Sequence, residues 1–92
     1  MEKKFDIKYN IFNGLIEKYG KEAQVRQTFE EMAELTKELN KNLRGCDNKN
    51  NIIEEMADVS IMLQQVQLMF DISDEQLNAA IADKIIKASK NL

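Results

Sequence analysis

Two acidic pairs stand out in the sequence as groups that could do chemistry. Glu31 and Glu34 are three residues apart, and Glu55 and Asp58 repeat this spacing further along the chain. On a helix, side chains three residues apart point the same way, so each pair would form a two-carboxylate clamp. Like charges at this spacing destabilise an isolated helix. A divalent cation between two such helices would turn the repulsion into coordination, since Mg²⁺ and Mn²⁺ accept carboxylate oxygens as ligands.

The chemistry that such a site favours is metal-assisted hydrolysis of a phosphate compound. Mg²⁺ keeps several waters and often shares its ligand shell with substrate phosphates, and it can polarise a phosphoryl oxygen and activate a water. The chain has no histidine, which excludes His-ligated zinc, Ser-His and Cys-His catalytic sites, and the Glu-x-x-His pairs of di-iron bundles. Any metal is therefore expected to have oxygen ligands.

The charge, the apolar segments and the cysteine content argue against a nucleic-acid-binding, membrane or exported protein. The net charge is −3 with acidic and basic residues interleaved, so no basic patch for nucleic acid is expected. No segment approaches eighteen apolar residues, and the basic start lacks an apolar stretch behind it, which indicates neither membrane insertion nor export. The single cysteine, Cys46, suits a reducing compartment. We expect one cytoplasmic domain over residues 1–92.

The absence of proline, the low glycine content and the lack of β-branched alternation predict an all-helical fold. Asp6 is a candidate N-cap for a first helix over about 7–18. The glycines at 20 and 45 predict a second helix from about Lys21 to Leu43 or Arg44.

The remaining helices have their own start signals. Asn51 is a candidate N-cap for a third helix that extends to Phe70. Ser73 and Gln76 form a capping box for the last helix, whose inward residues are expected to be Leu77, Ile81, Ile85, Ala88 and Leu92. Four helices with short connections predict an antiparallel four-helix bundle. Because 92 residues bury only a marginal core, we also expect oligomers.

Apolar residues follow the helical repeat on both central helices. The expected packing seam of the second helix consists of Val25, Phe29, Met32, Thr36, Leu39 and Leu43. The third helix has apolar residues on two faces, which predicts burial on both sides. Glu55 and Asp58 lie between these faces. Carboxylates in such a position are unfavourable unless a cation meets them.

Two observations favour a plainer interpretation. On the second helix alone, Glu31, Glu34 and Glu38 lie about 140° from the apolar seam, as a solvated face would. If the helices flanked a tight turn, Glu31 and Glu34 would also lie about 9 Å above Glu55 and Asp58, at a rise of about 1.5 Å per residue. The seven residues 45–51 are expected to make up part of this offset, and earlier fraying of the second helix to absorb more of it.

The sequence resembles the MazG-like, all-α nucleoside triphosphate pyrophosphohydrolases, in particular their short phage-type members. The resemblance extends from Tyr19 to Lys87 and depends on the words EEMAEL, EEMADV and ISDEQL, which occur in that order. Matched to the family motif, the acidic residues are Glu31 and Glu34, followed by Glu55 and Asp58.

The resemblance implies an activity and an assembly. It implies Mg²⁺-dependent cleavage of a nucleoside triphosphate to the monophosphate and pyrophosphate, with the four acidic residues holding one or more Mg²⁺ or Mn²⁺ ions. It also implies a homo-dimer, or a dimer of dimers, in which two subunits build each site. Lys84 and Lys87 lie near the position where family members often place basic residues for the phosphate tail, although surface lysines that complement the helix dipole would look the same.

Two other classes of protein fit the same residues. One is a non-catalytic helical dimer that acts as an interaction module, with the acidic pairs on its surface. The other is a metal-binding protein without turnover. Mg²⁺-dependent pyrophosphate release separates an enzyme from both.

Overall fold

The computed structural model consists of four α-helices: α1, Glu2–Tyr19; α2, Lys21–Leu43; α3, Lys49–Met69; and α4, Asp74–Ser89. The structure describes the backbone of residues 2–92 and the side chains of residues 7–92. Within residues 2–92 there is no β-strand. The predicted all-α class is therefore confirmed.

Glycine sets the ends of α2 as the sequence predicted. Gly20 precedes the helix with φ of 92°, and Gly45 follows it with φ of 98°. Both values lie in the left-handed region, where a glycine avoids the steric clash of a Cβ. The predicted bounds of α1 were too short. Since α1 already begins at Glu2, Asp6 is inside the helix and is not its N-cap.

The two later helix starts differ in outcome. Ser73 caps α4 as predicted. Its hydroxyl accepts from the backbone N–H of Gln76 at 3.0 Å, and the side-chain oxygen of Gln76 accepts from the backbone N–H of Ser73 at 2.8 Å. The predicted N-cap of α3 was wrong, because Asn48 occupies that position and Asn51 lies inside the first turn. The Asn48 side chain makes no capping bond. Its side-chain amide donates instead to Glu38 on α2.

Three of the helices pack on one another. Helices α2 and α3 form an antiparallel hairpin with the most extensive contact in the chain, and α1 packs against both. Phe12 of α1 is buried, and Leu15 and Ile16 are half-buried. No residue of α4 is buried. The expected inward side of α4 is therefore exposed, and the predicted four-helix bundle is reduced here to three packed helices and a peripheral fourth.

The apolar seam predicted for α2 does not face α3. Phe29, Met32, Leu39 and Leu43 are exposed, and Thr36 with them. Val25 is half-buried. On α3, Met56, Leu63 and Phe70 are also exposed, while the other members of that stripe, Ile52, Val59 and Val66, are half-buried. The expectation of burial on both sides of α3 is thus wrong for the single chain, since α2 meets α3 through a different face.

These two exposed stripes form one surface. A groove on α2 is lined by Lys21, Val25 and Phe29, and the Lys21 ammonium lies 4.3 Å from the centre of the Phe70 ring on α3. We call the residues Val25, Phe29, Met32, Met56, Leu63 and Phe70 the outer apolar face. Tyr19 at the end of α1 lines a cleft with Ala23 and Gln27, about 180° around α2 from Val25 and Phe29. Helix α1 therefore covers the other side of the hairpin.

The chain is expanded for its length. Its radius of gyration is 15.9 Å, compared with about 12 Å expected for a folded domain of this length. Its accessible surface is 7441 Å², compared with about 5,500 Å² expected from its mass. No described helix combines the length and apolar character needed to cross a membrane.

Candidate metal centre

The interface between α2 and α3 is lined largely by polar side chains. Its buried residues are Gln24, Thr28 and Glu38 on α2, Met62 and Gln65 on α3, and Asn48 at the start of α3. The polar groups bond to each other, and no buried side-chain nitrogen or oxygen in the described part of the chain lacks a partner. The face of α2 that looked solvated is therefore the face that packs against α3.

Three of the four predicted acidic residues meet in this interface. Carboxylate oxygens of Glu31, Glu55 and Asp58 lie within 4.8 Å of one another, and we call these three residues the acidic cluster. Glu31 and Glu55 are half-buried, whereas Asp58 is exposed. Glu34 is exposed and lies outside the group of three, yet it is near enough to act on the charge of Glu55.

In the acidic cluster, the ionised form of the Glu55 carboxyl is unfavourable. Burial raises the pKa of Glu55 above its ordinary value, and the neighbouring carboxylates of Asp58, Glu34, Glu31 and Glu38 raise it further. The ion pairs among the described side chains are Arg26–Glu22 and Lys41–Glu38. No lysine or arginine in that part of the chain neutralises the cluster. Such a group of oxygens suits a hard divalent cation.

A residue missed by the sequence reasoning holds one carboxylate in place. The Gln27 side-chain amide donates to Glu31 Oε2 at 2.9 Å along α2. This bond leaves the other Glu31 oxygen available as a ligand and limits rotation of the side chain. The spacing of four residues on a helix is the signal that could have indicated this contact.

The offset of about 9 Å expected for a tight turn is removed by the connection between the two helices. After α2 ends at Leu43, the chain folds back so that Asn48 reaches Glu38, one turn or more before the end of α2. The Asn48 amide donates to Glu38 Oε1 at 2.8 Å and to the Glu38 carbonyl at 2.9 Å. Helix α3 thus starts higher along α2 than a minimal turn would allow, which brings Glu55 and Asp58 level with Glu31.

Glu38 differs in role from the other acidic residues. It is buried, and its bond from Asn48 lowers its pKa, with Lys41 as a further cause, although burial opposes the shift. Lys41 Nζ lies 3.3 Å from Glu38 Oε2. Both carboxylate oxygens therefore already have partners, so Glu38 is a packing and hydrogen-bonding residue at the edge of the cluster.

The candidate phosphate-binding lysines are not brought to the acidic cluster within one chain. Lys84 and Lys87 lie on α4, which has no buried residue, and neither forms an ion pair among the described side chains. Lys84 lines a shallow apolar groove with Leu77, Ile81 and Ile85. Among the described side chains, no ion pair therefore joins either lysine to the acidic cluster.

Comparisons with protein-family models, with curated proteins and with solved structures found no match to this chain.

Proposed function

We propose that this chain is a Mg²⁺-dependent nucleotide pyrophosphohydrolase of the MazG-like type, which cleaves a (deoxy)nucleoside triphosphate to the monophosphate and pyrophosphate. The proposal is supported chiefly by the convergence of Glu31, Glu55 and Asp58 from two helices, with oxygens within 4.8 Å of one another. Four acidic residues at matching positions also make up the family motif. The resemblance suggests the substrate class, and the three converging carboxylates support the proposal of a cation between α2 and α3.

The donor set fits Mg²⁺ or Mn²⁺. Glu31, Glu55 and Asp58 would hold the ion, and Glu34 lies beside them. Bound there, Mg²⁺ supplies a Lewis acid for phosphoryl oxygens. The chain's own part is to orient these ligands, as Gln27 does for Glu31, and to exclude bulk water from the inner side of the site through the packing of α2 on α3.

We propose that the working form is a homo-dimer or a dimer of dimers. The accessible surface exceeds that of a typical folded chain of this mass by roughly 1,900 Å². A standard interface buries about 800 Å² on each partner, so this excess is large enough for one. The outer apolar face would supply the contact. A second copy would also cover α4 and could carry Lys84 and Lys87 toward the phosphate tail of a substrate.

The test is release of pyrophosphate from a panel of nucleoside and deoxynucleoside triphosphates, with and without Mg²⁺. Glu55→Gln and Asp58→Asn should each lower turnover by about 10³-fold or more, because each removes a ligand for the ion that carries the chemistry. The matched control is Glu54→Gln, which changes the exposed neighbour of Glu55 and should leave turnover within about twofold.

The exposed outer apolar face favours a second candidate function, that of a helical interaction module without catalysis. The same assay separates the candidates when it is combined with thermal unfolding. Absence of pyrophosphate together with a Mg²⁺-induced rise in the unfolding midpoint would indicate a metal-binding protein without turnover. Absence of both effects would leave the interaction module.

A further inference from the structure

Two buried hydrogen bonds flank the acidic cluster at equal distances along the helices. Gln24 Nε2 donates to Gln65 Oε1 at 2.7 Å, and Asn48 Nδ2 donates to Glu38 Oε1 at 2.8 Å. Gln65 is the most buried side chain described, at 1% exposure. These two pairs are the buried side-chain bonds that join α2 to α3 or its N-cap.

The spacing of these pairs matches that of the cluster. Gln24 lies seven residues before Glu31, and Gln65 lies seven residues after Asp58. In the other direction, Glu38 lies seven residues after Glu31, and Asn48 lies seven residues before Glu55. Seven residues are about two helical turns, or about 10.5 Å. Each pair therefore enforces the same alignment of α2 on α3 that makes the cluster.

Apolar contacts alone would not fix this alignment. In helix pairs, a buried polar residue at a core position selects one register, because a slip would leave it buried without its partner. A slip of one heptad toward a tighter turn would put Glu31 level with Gln65 and would separate it from Asp58. The same slip would move Gln24 away from Gln65 and Asn48 away from Glu38.

We propose that Gln24, Gln65, Glu38 and Asn48 are positioning residues that fix the register of α2 against α3 and thereby hold Glu31 level with Glu55 and Asp58. This inference deepens the proposed function and rests on it only for its consequence, which is metal affinity. The register itself is a property of the folded chain and can be measured without a metal or a substrate.

The register can be read by disulfide trapping in a Cys46→Ser background. Thr28→Cys with Met62→Cys reports the observed register, since both residues are buried in the α2–α3 interface. Leu35→Cys with Met62→Cys reports a slip of one heptad, because Leu35 lies seven residues after Thr28. The first reporter alone should form a disulfide when both polar pairs are intact.

The decisive variant replaces all four positioning residues by leucine, which removes the polar pairs without leaving a buried group unbonded. We expect the helices to remain and the slip reporter to form its disulfide as well. In the chain without reporter cysteines, Mg²⁺ should bind at least tenfold more weakly by calorimetry. The matched control, Asn40→Leu with Asn50→Leu, makes the same amide-to-leucine change at exposed positions on both helices and should behave as the unmodified chain.

Retention of the first reporter alone in the four-leucine variant, with unchanged Mg²⁺ affinity, would overturn the proposal. If the unmodified chain binds no Mg²⁺ but the slip reporter still appears only in the variant, the register role stands and the proposed metal function fails. If the four-leucine variant unfolds, the double substitution Glu38→Asn with Asn48→Glu tests the same proposal, because it exchanges the two partners of one polar pair. The exchange should restore Mg²⁺ affinity that each single change loses, and additive losses would contradict the proposal.

Discussion

The interface between α2 and α3 and the outer apolar face have the opposite arrangement from an ordinary globular core, in which apolar residues are buried and polar residues are exposed. The interface between the helices is largely polar: its hydrogen-bonded pairs are buried, and the acidic cluster beside them is half-buried to exposed. The outer apolar face is exposed, with Phe29 at 60% and Phe70 at 52%. The comparison shows that buried polar side chains join the two helices within one chain, whereas the residues of the outer apolar face stay exposed and are the surface that the proposed dimer would use.

Breaking the outer apolar face should have the largest effect. Phe29→Glu places a charge where a second copy would bury an aromatic ring, and loss of an aromatic hot-spot residue weakens an interface by about 2 kcal/mol or more. We expect self-association at least about 30-fold weaker, measured by sedimentation over a range of protein concentrations.

A matched control exists on α1. Ile7 is as exposed as Phe29, at 63%, but it lies on the helix that covers the other side of the hairpin. Ile7→Glu should leave association close to that of the unmodified chain. Equal weakening by both substitutions would show that general surface charge, and not the outer apolar face, controls association.

A smaller effect should appear at the polar interface when metal is removed. Because the pKa of Glu55 is raised above its ordinary value of 4.5, the folded state holds this proton more tightly than the unfolded state. Its contribution to stability is therefore present below pH 4.5 and is lost as the pH rises through the raised pKa. In EDTA, the unfolding midpoint should fall over this range, and Glu55→Gln should reduce the fall and give the higher midpoint at pH 7.

The contribution of Glu38 to stability changes in a different pH range, so it does not overlap with the effect of Glu55. Its pKa is lowered by Asn48, so its contribution is present above its ordinary pKa and is lost only as the pH falls through the lowered value. Glu54→Gln should give a curve parallel to that of the unmodified chain. A Glu55→Gln curve that is also parallel would contradict the assigned cause of the shift.

The smallest effect is expected outside both regions, at the start of α4. Ser73→Ala removes the side-chain acceptor of the capping box and should destabilise α4 by about 1 kcal/mol. Since no residue of α4 is buried in the chain, the loss should appear as reduced helicity by circular dichroism, with little change in the unfolding of α2 and α3. Cooperative loss of all helices would indicate that α4 supports the hairpin more than its exposure suggests.

The sequence predicted features that depend on local chemistry. The bounds of α2 follow from two glycines with positive φ, and the start of α4 follows from the Ser73 capping box. Both signals act within a few residues of the chain. The start of α3 was misplaced, because Asn48, Asn50 and Asn51 are all suitable N-caps and the choice depends on a contact with Glu38 ten residues away in sequence.

The faces of the helices were harder to predict for a physical reason. Hydrophobic periodicity shows which side of α2 favours burial, but it does not show whether the partner is α3 or another chain. The seam from Val25 to Leu43 was expected to pack against neighbouring helices, but within the chain only Val25 of this seam is half-buried and the rest is exposed. The convergence of the acidic pairs was predicted from their spacing, and the structure brings Glu31, Glu55 and Asp58 together while Glu34 lies outside that group.

The turn before α4 has a consequence for how copies of this chain would meet. Gln67 on α3 donates to Asp74 Oδ1 at 2.9 Å, and the Ser73 box closes the first turn of α4 from within the same segment. These local bonds thus connect the end of α3 to the first turn of α4 within a single chain. In the proposed dimer, association that needs no rearrangement of this segment would be expected at the roughly 10⁵–10⁷ M⁻¹s⁻¹ typical of protein pairs.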